Sequence, residues 1–253
     1  MDSFKDKYRF TRDEEVTFIE RNMAQLIYTT GKFENLQTTL PQTEDIIHNY
    51  TVNGVKPQDV EKVLGLKRAF DFVINKTHPF KSNDVLVIND IIQSGHVDAG
   101  QIRHEDVQVP LTNDVWLPPI PQPTVALNDI EKIVTAPNSV TEKAINLNLY
   151  LSRWQLFVNG NKRTAIVAAN TLMIEAGAGM LAIPENKMHW YGSYLQKFYR
   201  SGRIDDIKTW LYDNAVIGTP QHAIDVTRPA KNKTLDKHYQ KGLLGSQPRG
   251  PQR

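Results

Sequence analysis

With 253 residues, 40% of them hydrophobic and 23% charged, the chain is expected to form one sizeable globular domain with room for a terminal extension. It contains no cysteine, which excludes disulfides, thiolate metal sites and cysteine nucleophiles, and no apolar run long enough to span a membrane. The formal net charge of +2 is too small to point to nucleic acid, and the first residues, Met1 to Lys5, lack the apolar core of a signal peptide, so cytoplasmic residence is the expectation.

In chain order, the first periodic segment runs from Arg12 to Thr29, where Val16, Ile19, Met23, Leu26 and Ile27 recur at helical spacing. Thr43 to His48 reads as a second helix with Thr43 as its N-cap. Gln58 to Lys76 is strongly amphipathic, and Asp84 to Ser94 follows with Val85, Ile88, Ile91 and Ile92 on one face. The texture changes at Gly95. Val107, Val109, Val115 and Leu117 alternate with polar residues around Leu111-Thr112-Asn113-Asp114, which predicts a short hairpin. Pro118, Pro119, Pro121 and Pro123 end it and exclude a helix until about Val125. Helices are expected again over Ala126–Val134, Thr141–Phe157, Lys162–Ala176, Lys187–Ser201 and Ile204–Ala215. The fold class is therefore mostly α, a helical bundle with one short β-hairpin. The expected division is an N-terminal helical region over 1–57, a core over 58–217 and a basic, disordered tail over 218–253.

That tail carries Arg228, Lys231, Lys233, Lys237, Lys241, Arg249 and Arg253 against Asp236 from Val226 onward. Its composition cannot bury enough apolar surface to offset the entropy of ordering. It reads as a solvated extension, or alternatively as an electrostatic tether to an acidic partner or nucleic acid, which no aromatic–basic interleaving beyond Tyr239 supports.

The chemistry-bearing stretch is Gln155-Leu156-Phe157-Val158-Asn159-Gly160-Asn161-Lys162-Arg163-Thr164-Ala165. A polar, flexible turn feeds directly into an apolar helix. A helix N-terminus presents unpaired backbone N–H groups and a positive dipole end. Gly160 permits close approach of an anion, Asn161 adds a side-chain donor, and Lys162 and Arg163 add positive charge. Read locally, this is either a phosphate cradle or a basic loop that only caps a helix. No Gly-x-x-x-x-Gly-Lys string is present, so it is not a nucleotide P-loop.

The stretch resembles the active-site loop of the Fic/Doc family, whose pattern is His-x-Phe-x-(Asp/Glu)-Gly-Asn-(Gly/Lys)-Arg-x-x-Arg. Phe157, Gly160, Asn161, Lys162 and Arg163 match it. Gly100-Gln101-Ile102-Arg103, Val107 and Pro118-Pro119 look like the family's segment around its flap hairpin, and Thr30-Gly31-Lys32-Phe33-Glu34-Asn35 is similar to its inhibitory motif (Ser/Thr)-x-x-x-Glu-(Gly/Asn). The resemblance implies a Fic-type helical bundle that transfers AMP, or less often phosphate, from a nucleotide such as ATP with Mg²⁺ to a hydroxyl side chain of a target protein. By the same resemblance Gly160 to Arg163 bind the nucleotide phosphates, and Thr30, Glu34 and Asn35 belong to an N-terminal inhibitory helix that covers the nucleotide. A target protein would dock by strand addition on the flap around Val107, Val109, Val115 and Trp116. An ordinary surface hairpin is the plainer reading of that segment. Homo-oligomerisation stays open.

Three positions depart from the pattern. Gln155 stands at the position of the catalytic His, and an amide cannot serve as a general base near neutral pH. Asn159 replaces the acidic metal ligand, leaving a weaker, neutral oxygen for a hard cation. Ile166 replaces the second Arg, the usual partner of the inhibitory Glu, so Glu34 would have only Arg163 or Lys162 to pair with. His104, by the flap, and His189, after the motif helix, read as surface histidines rather than replacement bases, and no His-Glu-x-x-His or similar metal spacing is present. Two functions are thus expected from sequence: a nucleotide-binding scaffold with weak transfer, or a non-catalytic Fic pseudoenzyme serving as a protein-binding or regulatory module. The Lys162 form of the loop also keeps Doc-like phosphate transfer open.

Overall fold

The computed structural model describes residues 4–33 and 36–224. It is a mostly helical assembly built around one central helix. Helices α1 (Arg12–Lys32), α2 (Leu40–Ile47), α3 (Pro57–Asn75) and α4 (Asp84–Ile92) precede a hairpin of β1 (Val109–Leu111) and β2 (Asp114–Trp116). After it come α5 (Pro123–Thr135), α6 (Val140–Trp154), α7 (Asn161–Ala176), β3 (Met180–Leu181), α8 (Met188–Ser201), α9 (Asp205–Ala215) and β4 (Val216–Ile217).

The central element is α7. Every residue from Arg163 to Ile174 is buried, so this helix has no solvated face. Helices α1, α3, α4 and α6 all pack against it. Their inward residues, among them Ile19, Leu26, Leu66, Phe70, Ile88 and Ile145, form one continuous core with Ile166, Ala169 and Met173. Asn170, a polar side chain midway along this helix, is fully matched: its Nδ2 donates to Ile166 O and Leu181 O, and its Oδ1 accepts from Leu181 N at 2.9 Å. It thereby stitches β3 to the core.

Local chemistry sets the helix ends, and several differ from the sequence expectation. Helix α2 starts on Thr39, not Thr43. Thr39 forms a capping box with Gln42, and Pro41 fits the first turn, where no N–H is needed. Thr43 is buried inside the helix, its hydroxyl on Thr39 O and Thr38 Oγ1. Pro123 likewise opens α5 rather than delaying it to Val125. Helix α6 stops at Trp154, because Gln155 turns left-handed at φ 47°. Helix α7 starts from Gly160, left-handed at φ 75°.

The hairpin pairs antiparallel, Val109 with Trp116, Pro110 with Val115 and Leu111 with Asp114, and Asn113 takes the positive φ of its turn. A second antiparallel pair, β3 with β4, was not expected, since two-residue strands far apart in sequence leave no alternation to read. Residues 218–224, the start of the expected tail, run along the N-terminal segment: Tyr8 bridges Ala223, and Ile224 N donates to Lys7 O at 2.7 Å. The basic residues from Arg228 on lie outside the described residues. Among the described residues no helix is long and apolar enough to cross a membrane.

Candidate functional site

The site is assembled where α6 ends, α7 begins and the hairpin returns. Gln155 is the left-handed cap of α6 and is 7% exposed. Its side-chain Nε2 donates to Ser152 O. The Tyr199 hydroxyl, buried on α8, lies beside the Gln155 amide, and burial pushes its pKa far above the usual tyrosine range. Tyr191 is pushed up for the same reason, with Ser152 as its neighbour. The position that would need a titrating base therefore holds an amide among neutral hydroxyls.

Arg103 fixes this corner. It is 2% exposed. Its Nε donates to Gln155 O at 2.6 Å, its Nη1 to Glu105 O at 2.7 Å, and its Nη2 to Pro119 O at 2.8 Å, with longer bonds to Pro118 O and Trp154 O. Burial pulls its pKa down and the Asp106 carboxylate opposes that. One guanidinium thus ties the end of α6 to both feet of the hairpin.

The loop between α6 and α7 is clamped from inside. Phe157 is buried and plugs the core. Asn161 Oδ1 accepts from Phe157 N at 2.9 Å and its Nδ2 donates to Phe157 O at 2.7 Å. The side chain expected to meet an anion therefore braces its own loop. From α4, Asn89 Nδ2 donates to Asn159 O and Thr164 Oγ1. The Gln93 amide oxygen accepts from Arg163 Nη2 at 2.8 Å and from Gly160 N at 3.1 Å. Arg163 is 2% exposed, so its guanidinium is turned inward toward α4. Gly160 is required twice over: for its φ, and because a Cβ there would sit 2.3 Å from the Gln93 side chain.

Of the four expected phosphate-binding residues, Lys162 is the one that lines a cleft, of about 240 Å³. The walls are β1 on one side and α8 on the other, with Phe33 from the end of α1 beside Lys162. Thr30 is buried within α1; Glu34 and Asn35 lie outside the described residues. Ile166 is in the core at 1% exposure. Neither His104 nor His189 reaches the cleft, and both are exposed.

A cation fits poorly. Asn159 is exposed and its Oδ1 accepts from Gly160 N at 2.7 Å. No group of three His, Cys, Asp or Glu that could hold a metal ion occurs among the described residues. A phosphate fits better, since Lys162, in the first turn of α7, brings positive charge to the cleft.

The hairpin residues divide. Val109 is buried at 6%, and Trp116 turns to the body, its indole N–H on Arg153 O at 3.2 Å and its ring under the Arg153 guanidinium at 4.2 Å. Val115 is 45% exposed, and Val107 lies before the strand, half-buried. Of the four expected docking residues, Val115 is the most open.

Residues 79–173 match the model of the Fic/DOC family. Over that stretch the chain is similar to that family. Proteins titled protein adenylyltransferase Fic from Aedes aegypti and Drosophila melanogaster are each 28% identical to it, over 68% of this chain and 36% of theirs. The chain thus spans about a third of the length of those relatives. Among solved structures, Fic-1 (residues 134–508) of Caenorhabditis elegans superposes with a TM-score of 0.64 at 20% identity, covering 93% of this chain and 70% of that one. A Fic domain containing signaling protein from Bacteroides thetaiotaomicron gives 0.64 at 17% identity, covering 78% and 84%. At these identities the superpositions report the Fic fold.

The residues that sequence reasoning left without a role are Asn89, Gln93, Arg103 and Tyr199. Val85, Asn89 and Gln93 recur every four residues, so an Asn and a Gln share a ridge with an apolar core position. That pattern on a predicted core face was the available signal. Arg103 offered none beyond its place in the family string.

Proposed function

We propose that this Fic-family protein is a non-catalytic or very slow variant of the protein adenylyltransferase scaffold, one that binds a nucleotide phosphate group at Lys162 and the first turn of α7 and receives a target polypeptide along the flap. The observation that carries this reading is Gln155: a buried amide, held on Ser152 O, at the corner where the family pattern has its His. Loss of a general base typically slows such a transfer by roughly 10²–10⁴-fold. Three further positions support it. Arg163 faces Gln93 and Ile166 is in the core, so the cleft has one loop cation, Lys162, where the pattern would supply more. Asn159 holds no acidic partner for Mg²⁺.

Regulation by an N-terminal inhibitory segment is part of the same reading. Phe33 caps the C-terminus of α1, three residues after the buried Thr30, and Glu34 follows Phe33 in sequence. Of its two candidate partners, Lys162 is the one on the cleft. Phosphate transfer of the Doc type remains the second reading, favoured by that same lysine.

The test compares wild type, Gln155→His and Lys162→Ala. ATP binding is measured by calorimetry, and label transfer to a protein lysate is followed from both α- and γ-labelled ATP. The expected result is binding without transfer by wild type, transfer gained by Gln155→His, and binding weakened by Lys162→Ala. Brisk α-label transfer by wild type would overturn the pseudoenzyme reading. Transfer of the γ-label alone would make the protein a phosphotransferase. No ATP binding by any form would remove the nucleotide from the proposal.

A further inference from the structure

The tip of the hairpin is fastened to α8 by side chains. Thr112 N donates to Gln196 Oε1 at 2.9 Å, and Arg200 Nη2 donates to Thr112 O at 2.7 Å. Gln196 and Arg200 stand four residues apart on α8 and so share one face of it. An acceptor for the N–H and a donor for the C=O of a single residue is the pair of partners that a neighbouring strand supplies. At Thr112, the first residue of the turn, the helix therefore holds both backbone groups with two side chains, at the point where β1 ends.

Thr112 opens the two-residue turn, directly after Leu111 ends β1. Pro110, the middle residue of β1, lines the cleft toward α8. Pro110 has no N–H, and it sits opposite Val115 in the ladder. Toward α8 it thus offers a carbonyl and no donor. The cleft lies between this edge of β1 and α8. Gly192 of α8 also lines it, and a Cβ on Gly192 would meet nothing within 4 Å. A glycine inside a helix costs up to about 1 kcal/mol relative to alanine, and packing does not require it here. It leaves the cleft floor open to close approach by a chain lying along β1.

We propose that Gln196 and Arg200 are positioning residues, a side-chain latch that closes the β1 edge at Thr112 and so sets the register in which an extended polypeptide adds to the flap. The incoming ladder starts at the Pro110 carbonyl and runs away from the turn. The register rests on the docking reading above; the latch does not.

Two arms on the full chain keep these apart. The first follows amide hydrogen exchange at Thr112 without any ligand. Gln196→Leu fills the same space without an acceptor and should speed exchange of the Thr112 N–H about fivefold, the scale of one half-exposed hydrogen bond. Gln196→Glu keeps an acceptor oxygen and should hold the wild-type rate, while unchanged α7 amides report an intact fold. Equal Thr112 rates in wild type and Gln196→Leu would overturn the latch. The second arm maps NMR contacts of short serine- and threonine-containing peptides on β1. Wild type should show contacts ending at Pro110, and Gln196→Leu with Arg200→Met should extend them to Thr112. Contacts reaching Thr112 in wild type would overturn the register. If the latch is seen by exchange and no peptide binds either form, the docking reading is what fails, and the register goes with it.

Discussion

Arg103 Nε lies 2.6 Å from the backbone oxygen of Gln155, the residue that ends α6 in a left-handed turn. That single bond joins the segment before the hairpin to the Gln155 corner. The same guanidinium also holds Pro119 O beyond the flap, so the geometry of the Gln155 corner and the footing of the hairpin are set together.

Arg103→Ala should be among the most damaging single changes. It leaves carbonyls of Glu105, Trp154, Gln155, Pro118 and Pro119 without their donor in a buried place. A loss of about 3 kcal/mol or more is expected from the buried acceptors alone. Urea unfolding at constant m-value checks this, and Arg103→Lys, with one short donor cluster, should recover part of the loss.

The two glycines at the site should respond in opposite directions. Gly160→Ala meets both a positive φ and the Gln93 side chain, and should destabilise by roughly 1–3 kcal/mol. Gly192→Ala lies in a helix interior with open space around it and should stabilise by up to about 1 kcal/mol. Thermal melts of the pair decide it, and a gain in Tm from Gly160→Ala would contradict the described loop.

Asn161→Asp separates the two halves of the loop clamp. The acceptor for Phe157 N survives, and the donor to Phe157 O is replaced by a charged oxygen. Facing a carbonyl with a buried carboxylate should destabilise by about 2–3 kcal/mol. Phe157 amide exchange should rise in step. A change confined to nucleotide binding, with stability intact, would mean instead that Asn161 faces the ligand.

Glu15 gives the chain a pH-dependent stability. It is fully buried on α1, and desolvation pushes its carboxyl up to about 8, with Gly179 N and Arg12 opposing. The unfolded chain releases this proton near 4.5, while the folded chain keeps it to about 8. Between those values the folded form binds the extra proton, so stability falls as pH rises, by about 1.4 kcal/mol per pH unit from this group. Below 4.5 the contribution is fully present; above 8 it is lost. The difference in unfolding free energy between wild type and Glu15→Gln should therefore slope across that window. A flat difference would place Glu15 in a polar environment.

Gln155→His should leave stability nearly unchanged, within about 1 kcal/mol, because His tolerates the left-handed region better than most side chains. Its imidazole would stand beside the Tyr199 hydroxyl. Matching chemical-denaturation midpoints would make any gained transfer activity a statement about chemistry and not about folding.

What the sequence determined by itself was chemical identity in a local frame. The helical periods of α1, α3, α4 and α7, the turn at Asn113 and the string Phe157 to Arg163 could be read in place, because spacing and residue type act over a few neighbours. So could the absence of an imidazole at Gln155, of a carboxylate at Asn159 and of a guanidinium at Ile166. The direction in which those side chains act was decided by the tertiary structure. Arg163 faces Gln93, Asn161 braces Phe157, Trp116 turns onto Arg153, and Lys162 remains at the cleft. Each depends on a partner, or on a neighbouring surface, that the chain brings close only by folding. A buried polar group must find its hydrogen bonds wherever the packing places them, and that placement is a property of the whole core.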